Sequence, residues 1–61
     1  MNEEVATILV VGAYHVLLNR SPEYTGLRDW MGAVMNGMTI DELIAGIKAS
    51  PEYKAKWNIA A

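Results

Sequence analysis

Between Glu4 and Arg20 the chain carries no charged side chain. Val5, Ile8, Leu9, Val10, Val11, Tyr14, Val16, Leu17 and Leu18 fall within that stretch and would point nearly all round a helix. A transmembrane helix needs roughly 20 apolar residues to cross about 30 Å of hydrocarbon. Val5 to Leu18 is 14 residues, interrupted by Thr7, Gly12 and His15. A signal peptide wants a basic start and a small-residue cleavage site, whereas this stretch opens on Glu3 and Glu4, acids that suit the positive end of a soluble helix. The sequence therefore predicts a central core helix covered on several sides. The remaining helices of a 61-residue chain can hardly cover every face of it, so some of Val5, Ile8, Leu9 and Val11 are expected to face another subunit.

Length points the same way. A chain this short forms a single domain, residues 1–61, and buries only about 60% of its unfolded surface. Small scaffolds are commonly reinforced by disulfides, a structural metal or oligomerisation; here there is no cysteine and one histidine, His15, which leaves oligomerisation or docking on a partner. With 52% hydrophobic and 20% charged residues the composition is that of a folded globule rather than a disordered segment. Net charge is −2, and Arg20, Arg28, Lys48, Lys54 and Lys56 are too scattered to neutralise a run of phosphates. Nucleic acid is not an expected partner, and the lack of cysteine leaves the compartment open.

Helix punctuation divides the rest. Pro22 cannot continue a helix interior, and Gly26 is read as a turn residue free to go left-handed. Leu27, Trp30, Met31, Val34, Met35 and Met38 then recur at helical spacing on one stripe, which Gly37 ends. Met31, Met35 and Met38 are a flexible apolar row, suited to the core or to an adaptable interface. Thr39-Ile40-Asp41-Glu42 has capping-box order and starts a third helix with Ile40, Leu43, Ile44 and Ile47 on one face. Ser50-Pro51-Glu52-Tyr53 reads as N-cap, proline at the first helical position and an acid in the first turn. Tyr53 and Trp57, four apart, would anchor this last helix. The expected architecture is all-α, a compact bundle of three to four short helices over about 3–19, 26–36, 40–48 and 51–58.

Ser-Pro-Glu-Tyr occurs at 21–24 and again at 50–53, but the residues after the two copies do not align. Each copy is better read as a helix start, with a capping serine, a pre-organised proline and an acid near the dipole's positive end, than as a duplication.

Reaction chemistry is not evident. His15 stands alone amid apolar neighbours, so no Ser-His-acid triad is implied. The acids are isolated or adjacent rather than convergent, so neither a metal site nor a cofactor is expected. The five glycines are dispersed and form no phosphate loop; Gly32 and Gly46 are expected to permit close helix packing. Arg20, which ends the long apolar helix, is expected either to bond that helix's last carbonyls or to pair with Glu23, Asp29 or Glu52.

Tyr14, Leu17-Leu18, Arg20, Pro22, Gly26-Leu27, Trp30, Gly37, Leu43 and Ser50-Pro51-Glu52-Tyr53 follow one another in an order and spacing that resembles domain of unknown function 4214, a bacterial and phage family. The match covers about residues 14 to 53; Asn19-Arg20 stands where the family often has Gly-Arg, and Glu23 where an Asp often follows the proline. The resemblance implies a helical module similar to the linker domain of cyanobacterial light-harvesting antennae. Such modules are usually appended to secreted, surface-layer, calcium-repeat or phage tail proteins and have no agreed enzymatic activity. It places no catalytic residue on this chain. A start at Met1 and an end soon after the motif look like a free-standing copy that must find its partner non-covalently.

The expectation is a non-enzymatic structural or protein-interaction module, self-associating or part of a larger surface or virion assembly. Its interface candidates are Val5, Ile8, Leu9, Val11, Met31, Met35 and Met38. Tyr14, Arg20, Pro22, Gly26, Trp30, Gly37, Ser50, Glu52, Tyr53 and Trp57 form the structural motif. Two alternatives stand beside it. One is a glycan or small-ligand module stacking its ligand on Trp30 or Trp57 with Tyr24 or Tyr53; the other is a membrane-associated protein led by the first helix.

Overall fold

The computed structural model describes residues 2–58. They form four helices, α1 (Glu3–Leu18), α2 (Tyr24–Met35), α3 (Ile40–Lys48) and α4 (Pro51–Lys56), and no strand.

α1 starts where the Asn2 side chain accepts a hydrogen bond from the Val5 N–H at 2.8 Å, with Glu3 and Glu4 in the first turn. It stops at Asn19, which takes a left-handed conformation (φ 53°) and returns its N–H to the His15 carbonyl. Asparagine tolerates that region better than most residues, so an Asn after two leucines ends the helix. The side chains buried on α1 are Ala6, Val10, Tyr14 and Leu18, one in every four. This spacing gives a single stripe that drifts slowly round the helix, because four residues slightly overshoot one turn.

α2, α3 and α4 all pack on α1; α2 also meets α3, and α3 meets α4. α1 is thus the hub, as the sequence predicts, but its cover is one-sided. Val34 of α2 with Leu43 and Ile47 of α3 complete the buried core, and Leu9, Ala13, Leu17, Leu27, Trp30, Met31, Met38 and Tyr53 pack around it. At the far side of α1, Ile8 and Val16 stay exposed, at 69% and 76%.

The capping signals of α3 and α4 are realised. Thr39 Oγ1 accepts from the Glu42 N–H and the Glu42 carboxylate accepts from the Thr39 N–H, closing the capping box. Ser50 Oγ accepts from the Tyr53 N–H ahead of Pro51. The first Ser-Pro-Glu-Tyr differs. α2 begins at Tyr24 with Glu23 as N-cap and no side-chain cap bond, two residues earlier than predicted, and Ser21 stands outside the helix and bonds His15 instead.

Gly26 is consequently not a turn residue. It is the third residue of α2, and a Cβ there would come within 2.6 Å of Glu23 Oε1 and 3.0 Å of Tyr14 Oη. What the position requires is small size. The left-handed glycine is Gly37 (φ 112°), just past the end of α2. Gly46 allows close packing as expected, its missing Cβ leaving room for the Trp30 ring at 2.7 Å, whereas Gly32 does not, since nothing lies within 4 Å of it.

These contrasts are testable by urea unfolding. Gly32→Ala should stabilise the fold by up to about 1 kcal/mol, the ordinary gain of replacing a helical glycine, and Gly46→Ala should forfeit that gain by displacing Trp30. Leu43→Ala, at a side chain 1% exposed, should cost about 2–5 kcal/mol, a large part of the stability of a domain this small.

Candidate interaction surface

The end of α1 is held by a polar knot around Arg20. Its Nε and NH2 donate to the two carboxylate oxygens of Glu52 at 2.5 and 2.7 Å. NH1 donates to Glu23 Oε2 at 3.1 Å and to the Ser21 carbonyl at 2.8 Å. The guanidinium carbon lies 5.2 Å from the centroid of the Tyr14 ring, within cation–π range. Of the partners predicted for Arg20, Glu23 and Glu52 are present. The α1 carbonyls are not, and Asp29 lies near Arg28 instead, at 3.9 Å. The glutamates of the two Ser-Pro-Glu-Tyr copies thus converge on one arginine, which ties α4 to the α1–α2 connection.

A second tie is apolar and polar at once. Trp57 Nε1 donates to the Leu17 carbonyl at 2.7 Å, satisfying one of the carbonyls left open at the end of α1. The Trp57 ring sits 6.4 Å from that of Tyr53, which packs on the core. α4 has no buried residue of its own, so these contacts are what hold it.

The hydrogen bonds from Arg20 hold the Glu52 carboxyl below the usual carboxylate range, and Glu52 in turn raises the guanidinium further above its ordinary value. Glu42 is lowered as well, by the Thr39 backbone N–H of its capping box.

The apolar surface lies elsewhere. On the side of α1 turned from the core, Val5, Ile8, Gly12 and Val16 face outward. Beside them runs a groove of about 260 Å³ between α1 and α3, whose walls are Ile8, Leu9, Gly12, Ala13, Val16 and Leu17 on one side and Ile40, Leu43 and Ile44 on the other. Of the interface candidates, Val5, Ile8 and Met35 are exposed, and Leu9, Val11, Met31 and Met38 are partly buried. Leu9, Met31 and Met38 pack against the core, and Met31 Sδ accepts a bond from Thr7 Oγ1 at 3.4 Å. Val16 and Ile40 were not among the candidates. Val16 stands eight residues beyond Ile8, on the same outer side of α1; Ile40, the first residue of α3, shares that helix's apolar periodicity but is 49% exposed and lines the groove.

His15 and Ser21, both exposed, meet at 3.1 Å (Nε2 to Oγ), and no carboxylate hydrogen-bonds the imidazole among the described residues. Nor is there among them a group of three or more His, Cys, Asp or Glu placed to hold a metal ion, or a helix long and apolar enough to cross a membrane.

A family model described as "Domain of unknown function (DUF4214)" matches residues 6–57. The chain belongs to that family. The matched span runs from Ala6, the first buried residue, to Trp57, so it takes in the core, the Arg20 knot and the apolar groove. No curated protein and no solved structure matches the chain.

The lowered carboxyls fix a pH dependence. A group whose pKa falls on folding stabilises fully above its unfolded value, here ordinarily 4.5, and ceases to do so as pH drops through the folded value. The thermal midpoint should be flat above about pH 5.5 and fall below about pH 4.5. Glu52→Gln should lower the midpoint at neutral pH and flatten that fall, the two proteins converging in acid; circular dichroism melts between pH 3 and 7 check it.

Proposed function

We propose that this DUF4214 chain is a non-enzymatic structural module that works by binding protein through the outward side of α1 and the adjoining groove. The observation that carries the reading is the bare apolar face itself. Ile8, Val16 and Ile40 are large, exposed and contiguous with a groove whose walls are almost wholly apolar, and contiguous exposed apolar surface marks interaction sites in folded proteins. A small core, seven buried side chains among the described residues, gains from covering such a face. The resemblance to modules appended to surface and phage tail proteins supports a place as a small subunit of a larger surface or virion assembly.

A stacking site for glycans has less support. Trp30 is packed beneath Gly46, and the Trp57 N–H is engaged by Leu17. Tyr24, the most exposed of these rings, has the Arg28 guanidinium over it at 5.8 Å.

The double variant Ile8→Ser/Val16→Ser tests the reading. Both side chains lie outside the core, so its stability should stay within about 1 kcal/mol of the parent. Affinity capture from the native cell should lose with this variant the proteins that the parent retains. Equal capture by both proteins, or specific capture by neither together with a strictly monomeric parent, would overturn it.

A further inference from the structure

We infer that the protein seated on α1 is a second copy of this chain, the two α1 helices crossing antiparallel with Gly12 at the two-fold axis. The inference rests on the interaction-module reading and names its partner.

At 100° per residue the row Ile8, Gly12 and Val16, with Val5 beside it, lies opposite the buried row Ala6, Val10, Tyr14 and Leu18. α1 is therefore apolar on two opposed faces, and only one is covered within the chain. Gly12 sits at the middle of the bare face. It has no positive φ, and a Cβ there would meet nothing within 4 Å. Within one copy this glycine weakens the helix without any packing return. A helix laid across it gains directly, because the distance between two packed helices is set by the side chains at their crossing point.

The same face supplies both halves of the contact. A two-fold axis at residue 12 sets residue i opposite residue 24 − i, so Ile8 meets Val16 and Val16 meets Ile8, and the arrangement is isologous. Charge favours the same orientation. α1 carries acids only at its start, Glu3 and Glu4, and the antiparallel register sets the two acidic starts at opposite ends of the contact. A parallel pair would instead set Glu3 and Glu4 against their own copies and Ile8 against Ile8. The macrodipoles also oppose favourably only in the antiparallel pair.

Size bounds the strength. A standard interface covers about 800 Å² on each partner, about a fifth of the 4126 Å² that this chain exposes. One helix face with the rim of α3 at Ile40 and Ile44 offers less, so the dimer should form in a concentration-dependent way rather than be permanent.

The absence of native cysteine makes the register directly readable. Ile8→Cys and Val16→Cys variants are mixed and oxidised at high protein concentration, beside each variant alone. In the antiparallel register the unlike pair faces each other, while like thiols lie about 12 Å apart along the axis, beyond the reach of a disulfide. The mixture should therefore yield a linked I8C–V16C dimer well in excess of either homodimer. In sedimentation equilibrium the unmodified chain should rise from monomer toward twice the monomer mass, and Gly12→Leu should hold it at monomer with an unchanged circular dichroism spectrum. Gly12→Ala, a smaller intrusion, should weaken the dimer while raising the melting temperature.

Faster linkage of either variant alone, or a parent monomeric at every concentration with no excess in the mixture, would overturn the inference. In the second case the module reading still stands or falls by its own capture experiment, because Ile8→Ser/Val16→Ser would then release a different protein.

Discussion

A single row of side chains, Ala6, Val10, Tyr14 and Leu18, organises the molecule. Every other helix packs on α1, and the buried residues of α2 and α3 meet that row. Because the row is narrow, its residues must differ in size to receive three helices. Ala6 has no more than a methyl group at the start of α1, while Tyr14 fills the space toward Gly26, where a Cβ would touch its hydroxyl. Burial of these groups is the main favourable term in a bundle that has no disulfide to hold it.

The row alone does not hold α4, which has no fully buried residue and meets the core through the half-buried Tyr53. Polar contacts at the end of α1, where helix geometry leaves carbonyls without partners, complete its attachment. Trp57 answers one of them, at Leu17, and Arg20 collects Glu52 from α4 and Glu23 from the connection before α2. Exposed ion pairs add little singly, but here a bidentate geometry, a second carboxylate and the Tyr14 ring share one guanidinium. The knot closes the bundle at the C-terminal end of α1, and the bare apolar face runs along the outer side of the same helix. The knot that closes the bundle and the face proposed for association thus occupy different surfaces.

Much of this was legible in the residues. α3 runs from Ile40 to Lys48 as predicted, because a capping box and the lysine in its last turn are local signals. The start of α4 was legible for the same reason. The first Ser-Pro-Glu-Tyr was misread, since its serine is drawn off by His15 and leaves Glu23 at the cap position. Glycines were the least readable. Gly26, Gly32 and Gly46 all lie inside helices, yet one makes room for a tyrosine, one for a tryptophan and one for nothing. Of the outward face, Val5 and Ile8 are picked out by their place in an over-apolar helix; Val16, on the same outer side, is not, since the all-round apolar character of α1 marks no one side as outer, and Ile40 is not, because it shares the apolar periodicity of Leu43 and Ile47.

The sequence by itself determined the helical class, the helix ends set by caps, and the absence of a charge from Val5 to Asn19. These follow from interactions within a few residues or from composition. Tertiary structure decided which apolar row of α1 is inside, which acids meet Arg20, and where the uncovered groove lies. Those outcomes depend on how four helices divide one cylinder among them, and no local spacing carries that information.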